Sequence, residues 1–190
     1  MTKRVGVLAI QGDVEAHGEA ISRLGAELVP VLREKDLDGL DALILPGGES
    51  TTIAKGMERL RLWEPIRAFA RSGVPVLGTC AGAILLCQQV LQAPVPTLGL
   101  LDARALRNAY GTQVDSFAAP VDAGACAGLE GLRCVFIRAP QLEPGPAAEV
   151  LARVDGRPVL LRQGNLLAAS FHPELTRDLR VHRLLLPEAP

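Results

Sequence analysis

The run RVGVLAI at 4–10 is apolar at nearly every position. A strand with one wet face alternates apolar and polar residues. A near-continuous run belongs to a strand covered on both faces, as in a parallel sheet with helices above and below. Gly12 and Asp13 break the run, and Val14, His17, Ile21 and Leu24 then recur at helical spacing. Gly25 follows as a fitting residue just past a helix end. AELVPVL (26–32), DALILP (41–46) and VPVLGT (74–79) read as three further strands. Helices are predicted from Ser50, over 60–71 and over AGAILLCQQVL (81–91). Strands alternating with helices through residue 91 imply an α/β fold with a mostly parallel sheet.

After Leu91 the texture changes. APVPTLGLLDARAL is punctuated by Pro and Gly, and short strand-like runs follow at 113–121, 133–139, 148–154, 157–163 and 166–172. Asp155-Gly156 and Gly164-Asn165 are the clearest turn signals, so these runs are predicted as antiparallel additions to the same sheet. A last helix is predicted over 175–186, with Leu175, Leu179, His182 and Leu186 near one face. No linker, repeat or low-complexity stretch interrupts the chain. With 190 residues, 48% of them hydrophobic, one domain over 1–190 is expected.

Composition narrows the function classes. A net charge of -1 gives no reason to expect a nucleic-acid or anionic-membrane partner. No apolar run approaches the roughly 20 residues that span a bilayer. The start MTKRVGVLAIQGD lacks a small-residue cleavage site and reads as a first strand, so a cytoplasmic protein is expected. The spacings of Cys80, Cys87, Cys126 and Cys134 match no zinc pattern, which predicts reduced thiols and no metal site. Only His17, His172 and His182 can supply an imidazole.

The stretch GTCAG (78–82) places Cys80 between small residues where a strand enters a helix. That is the geometry of a nucleophile elbow, where the helix field favours a thiolate and the Ala81 N–H can meet an oxyanion. A buried structural cysteine fits the same stretch, and the two readings stay open on it alone. Cys87, further along, reads as core. In FHPEL (171–175), proline biases His172 toward an extended conformation. Side chains two apart then share a side, so Glu174 can orient His172 as a base. A surface His-Pro-Glu turn is the plain alternative. LPGGEST (45–51) lies where parallel-sheet enzymes bind ligands, and Glu49 could hold a substrate ammonium. It is equally an ordinary strand-to-helix turn with Ser50 as N-cap. Arg107 and Arg138 can pair with a carboxylate, but nothing in the pattern separates them from the other arginines. His17 and His182 sit on apolar helix faces and read as packed or interface residues. His172 is left as the favoured base.

Together, GVLAIQGDVEAH, LILPGGEST, GTCAGAILL, LGLLD, RNAYGTQVDSF, FIRAP and SFHPELTRD resemble the class I (triad) glutamine amidotransferases. Within them, the chain is similar to the glutaminase subunits of pyridoxal 5′-phosphate synthase. The resemblance implies a three-layer sandwich of flavodoxin-like type. It implies Cys80 as nucleophile with His172 and Glu174 as its relay, and the amides of Gly47 and Ala81 as oxyanion hole. It also implies Gly48, Glu49, Ser50, Arg107, Ile137 and Arg138 as contacts for L-glutamine, and Gln11 at an interface with the synthase subunit. No cofactor is implied. The rival readings are a glutaminase feeding another synthase and a non-catalytic regulatory module of the same fold.

Overall fold

A computed structural model describes residues 2–92, 94–107, 116–122, 124 and 126–186. The first half runs β1 (Arg4–Leu8), α1 (Val14–Arg23), β2 (Glu27–Val31), a 3-10 turn (Glu34–Leu37), β3 (Ala42–Leu45), α2 (Ser50–Arg59), α3 (Trp63–Arg71), β4 (Val76–Thr79) and α4 (Ala81–Leu86). The second half is mostly strands. These are β5 (Cys87–Leu91), β6 (Leu101–Leu106), β7 (Ser116–Pro120), β8 (Arg133–Ile137), β9 (Gln141–Pro144), β10 (Glu149–Val154), β11 (Arg157–Gln163) and β12 (Leu166–Ala169). A 3-10 turn (Pro173–Leu175) and α5 (Arg180–Leu185) complete it.

The main sheet has seven strands in the order β10-β11-β12-β4-β3-β1-β2. Its five strands β12, β4, β3, β1 and β2 pair in parallel, and β10 and β11 add to one side antiparallel. Read from β2, the parallel part runs 2-1-3-4-12, a doubly wound flavodoxin-like order that reverses direction between β1 and β3. Ligands of such sheets bind beyond the carboxyl ends of the strands around that reversal.

The period-2 alternation of strand side chains divides the interior into two cores. Leu43, Leu45, Val76 and Ala168 face one core with α2, α3, α4 and the strands β5, β6 and β9. Val5, Val7, Ala42, Ile44, Leu77 and Ala169 face the other with α1, α5 and β8. These are the three layers, and the double covering is why the strands read as apolar runs.

Several sequence expectations change. The helix predicted over 81–91 stops at Leu86. Cys87 is extended (φ -61°, ψ 155°), and 87–91 becomes β5, paired in parallel with β6. That pairing is non-local, so the pattern within 81–91 gave no sign of it. Strands β6 and β9 lie in two segments where no strand was predicted. The additions do not all join one sheet: β5, β6 and β9 form a three-stranded sheet, β7 and β8 a two-stranded one, and β12 pairs parallel to β4. The last helix is only Arg180–Leu185, because Pro173–Leu175 turns tightly and Leu175 is exposed. The Asp155-Gly156 turn is as expected, both residues taking positive φ between β10 and β11.

Candidate active site

Cys80 occupies the single residue between β4 and α4, with φ 48° and ψ -104°. A non-glycine residue held there costs on the order of 1–3 kcal/mol and persists only where its surroundings dictate it. Here they do. A Cβ on Gly78 would lie 2.6 Å from the Gly82 backbone, and one on Gly82 would lie 1.8 Å from the Leu45 carbonyl oxygen. Only glycines let the turn close. The Cys80 N–H donates to the Ala169 carbonyl (2.8 Å), tying the elbow to β12. Ala81 is the first helical residue, so its N–H has no acceptor within the helix.

His172 follows β12 by three residues. Its backbone N–H donates to the Val135 carbonyl on β8 (2.8 Å). Its ring Nδ1 lies 2.7 Å from Glu174 Oε1, whose side chain is fully buried. The expected partnership is present, but the backbone differs from the expectation. Glu174 sits in a 3-10 turn, not an extended segment, and the turn brings the carboxylate back under the ring. Burial opposes charge on His172. Its hydrogen bonds to Cys80 and Glu174 outweigh that and raise its pKa to about 10. The ring therefore carries its second proton at neutral pH. Glu174 shows the same contest, with burial raising its pKa and the His172 bond more than reversing it.

A pocket of about 180 Å³ opens over Cys80. Its lining includes Gly48, Glu49, Ser50, Ala81, Arg107, Ile137, Arg138 and His172, so all six residues expected to contact an amino-acid substrate converge there. Ile84 and Pro140 also line it and were not singled out from sequence. Ile84 looked like one more apolar helix residue, whereas Pro140 ends the FIRAP block. Arg138, like Cys80, has positive φ (43°). Gly47 lies beside the pair, since a Cβ there would come 2.4 Å from His172 Cε1 and 3.3 Å from Cys80 Cβ.

Glu49 shows a second difference. The N-cap of α2 is Glu49 and not Ser50, which is buried within the first turn. The Glu49 carboxylate accepts from the N–H groups of Thr51 (3.0 Å) and Thr52 (2.8 Å) and from the Thr52 hydroxyl. The Thr52 hydroxyl bond is the largest influence holding its pKa down at about 2, so it is ionised at neutral pH. Arg107 stands 3.8 Å from Glu49 Oε1. A carboxylate has further lone pairs for an ammonium. Gln11, exposed, accepts from the Glu49 N–H through Oε1 (3.0 Å). The rest of the Arg-Asn-Ala-Tyr block, 108–115, lies outside the described residues.

Behind Glu174 the interior is polar. His17 Nε2 lies 3.5 Å from Glu174 Oε2, and His17 Nδ1 lies 3.0 Å from His182 Nε2. Thr79 Oγ1 is 3.4 Å from His17 Nε2. Both histidines are buried, as expected of packed residues, but the line they form behind the Glu174 carboxylate was not foreseen. Among the described residues, no group of three His, Cys, Asp or Glu is arranged to hold a metal ion. No helix there is long and apolar enough to cross a membrane.

Comparison with known proteins shows the family. The model of the SNO glutamine amidotransferase family matches residues 7–189. The chain is 48% identical over 184 residues to a pyridoxal 5′-phosphate synthase subunit PdxT of Moorella thermoacetica, covering 96% of this chain and 97% of that one. It is 51% identical to the protein of the same name from Acidothermus cellulolyticus, covering 94% and 90%. A crystal structure of a glutamine amidotransferase superposes with TM-score 0.90 at 48% identity, covering 96% of both chains. The PurLQS structure from Thermotoga maritima, at TM-score 0.73 and 19% identity over 98% of both chains, shares the fold. With a family match over nearly its whole length and relatives this close, the chain belongs to the SNO glutamine amidotransferase family.

Proposed function

We propose that this chain hydrolyses L-glutamine to L-glutamate and ammonia, and delivers the ammonia to a pyridoxal 5′-phosphate synthase subunit for vitamin B6 biosynthesis. The observation that carries the reading is Cys80 on a strained elbow, lining one pocket with a His172 whose Nδ1 lies 2.7 Å from Glu174 Oε1. Family membership and the PdxT relatives supply the reaction and the partner.

Glutamine binds in the pocket with its ammonium toward Glu49 and its carboxylate toward Arg107 and Arg138. Gly48, Ser50 and Ile137 shape the remaining wall. The Cys80 sulfur attacks the side-chain amide carbon, forming the C–S bond and moving the carbonyl electron pair onto oxygen. The amides of Gly47 and Ala81 hold that oxyanion. As the C–N bond breaks, His172 gives its Nε2 proton to the leaving nitrogen, which departs as ammonia. The thioester remains. His172, now neutral at Nε2, takes a proton from water as the hydroxide adds to the thioester carbon. Collapse breaks the C–S bond and restores Cys80, leaving glutamate. Glu174 keeps the ring aligned and stabilises its positive charge in both halves.

The reading takes residues 1–190 as one amidotransferase domain. Its support is a central sheet drawing strands from Arg4 to Ala169 and a family match over 7–189. Gln11, exposed beside the pocket mouth, is proposed at the synthase interface. A cytoplasmic location is supported by four free cysteines, three of them buried. The test is glutamine hydrolysis with and without the synthase subunit. Activity should rise with the subunit present, and Cys80→Ala should lose on the order of 10⁴-fold or more while staying folded. Normal turnover by Cys80→Ala would sink the nucleophile assignment.

A further inference from the structure

We propose that His17, backed by His182, is a positioning residue for the relay: it supplies the side-chain donor to the buried oxygen of Glu174 that His172 leaves uncovered. The proposal rests on the reading of Cys80, His172 and Glu174 as the catalytic triad. Glu174 Oε1 is taken by His172, whereas Oε2 is buried and has no well-aligned hydrogen bond among the described residues. A buried carboxylate oxygen left in that state is costly. The side chain that faces it is His17, at 3.5 Å.

The fold explains why His17 is there. In β4 the side chains alternate, so Thr79 shares the face of Leu77, toward α1. His17 lies one turn into α1, and the Pro173–Leu175 turn packs against that helix. His182 on α5 closes the far side with an edge-on ring contact, centroids 5.2 Å apart. The charged and titratable groups facing His17 are Glu174 and His172 from the turn, His182 from α5 and Asp13 at its own helix start. β1 faces it with Val5 and Val7. Burial lowers the pKa of both His17 and His182, the latter to about 4, so both are neutral at pH 7. Neutrality leaves one proton arrangement that satisfies Glu174. His17 Nε2–H then faces both Oε2 at 3.5 Å and the Thr79 hydroxyl oxygen at 3.4 Å, His17 Nδ1 accepts from His182 Nε2–H, and His182 Nδ1 is the bare acceptor. His182 Nδ1 is indeed buried without a partner. The tautomer of His17 is thus fixed from α5, and the Glu174 carboxylate is fixed by the tautomer.

The experiment measures steady-state glutamine hydrolysis by the full chain with its synthase subunit, across pH, for His17→Leu, His17→Gln and His182→Leu. His17→Leu should lower kcat by about tenfold or more with KM little changed. It should also move the alkaline limb to higher pH, because a Glu174 carboxylate stripped of the His17 N–H is the stronger acceptor and holds the His172 proton more tightly. His17→Gln keeps an N–H donor and should restore both readouts toward wild type. His182→Leu should shift the limb in the same direction by less. Unchanged kcat and limb in His17→Leu overturn the proposal. So does a kcat loss shared equally by Leu and Gln with the limb unmoved, the mark of a merely packed residue. Should His17→Leu not fold, the contrast of His182→Leu with His17→Gln decides, and identical profiles overturn it. Cys80→Ala and Glu174→Gln run alongside. Activity retained there sinks the triad reading itself, whereas inactive triad variants beside a wild-type-like His17→Leu sink only this inference.

Discussion

At the elbow, backbone holds the proposed nucleophile: Gly78 and Gly82 interlock with the neighbouring chain, and the Cys80 N–H is pinned to β12. Around Glu174 the work is done by side chains, through a buried line of polar atoms from His172 to His182. The first arrangement admits no Cβ and no adjustment. The second is a set of long and short contacts whose proton positions matter more than its shape. The elbow therefore answers to volume, and the relay answers to charge and pH.

Glu174→Gln should separate the two most sharply. It preserves the shape and removes the charge, so kcat should fall by about 10²–10⁴-fold with little change in KM. A loss mainly in KM would place Glu174 in substrate binding. Gly82→Ala is the converse change, adding volume without charge. Its Cβ would meet the Leu45 carbonyl oxygen at 1.8 Å, so unfolding should show a loss of about 3 kcal/mol. A thermally wild-type Gly82→Ala would mean that the elbow can relax. A pH series tests the relay alone. The His182 pKa lies below its ordinary value, so stability is full above about 6.5 and declines as pH falls toward 4. His182→Gln should show a shallower fall of Tm over that window, with His17 and Glu174 supplying the remaining slope. The opposite sign holds for His172: its stabilisation is full below pH 6.5 and is lost as pH rises through about 10. The smallest effect belongs to the exposed Arg162–Glu149 pair at 2.8 Å. Arg162→Ala there should change stability by less than about 1 kcal/mol, marking the scale of an ion pair that belongs to neither region.

The same contrast decides what the sequence made legible. The elbow is a local pattern: small residues around Cys80 at the end of an apolar run suffice to name it. The first four strands and α1 are legible for the same reason, since each declares itself within a short window. The strand β5 does not, because Cys87–Leu91 is extended only through pairing with Leu101–Leu106. The Ser50 cap assignment failed because Glu49 and Ser50 both carry capping oxygens and adjacent positions compete. His17 and His182 were read correctly as buried, but an apolar stripe does not tell what a polar member of it touches. Their shared contact joins residues near the two ends of the chain. The resemblance to glutaminases, spread through many short blocks, reached further than periodicity did in the second half, and all six substrate-contact positions it implied line one pocket.

The register of β4 against β12, with Thr79 beside Ala169, bears on the life of the chain before it is an enzyme. During synthesis, Cys80 emerges from the ribosome well before His172. Until residues 166–169 slot in, β4 is a bare edge of the sheet, and the thiol has neither its imidazole nor the Ala169 carbonyl that pins its turn. If Cys80 and His172 act as proposed, a nascent chain is chemically mute toward glutamine, and so is any product truncated before β12. On the proposed reading, competence to release ammonia arrives with the same docking step that finishes the central sheet.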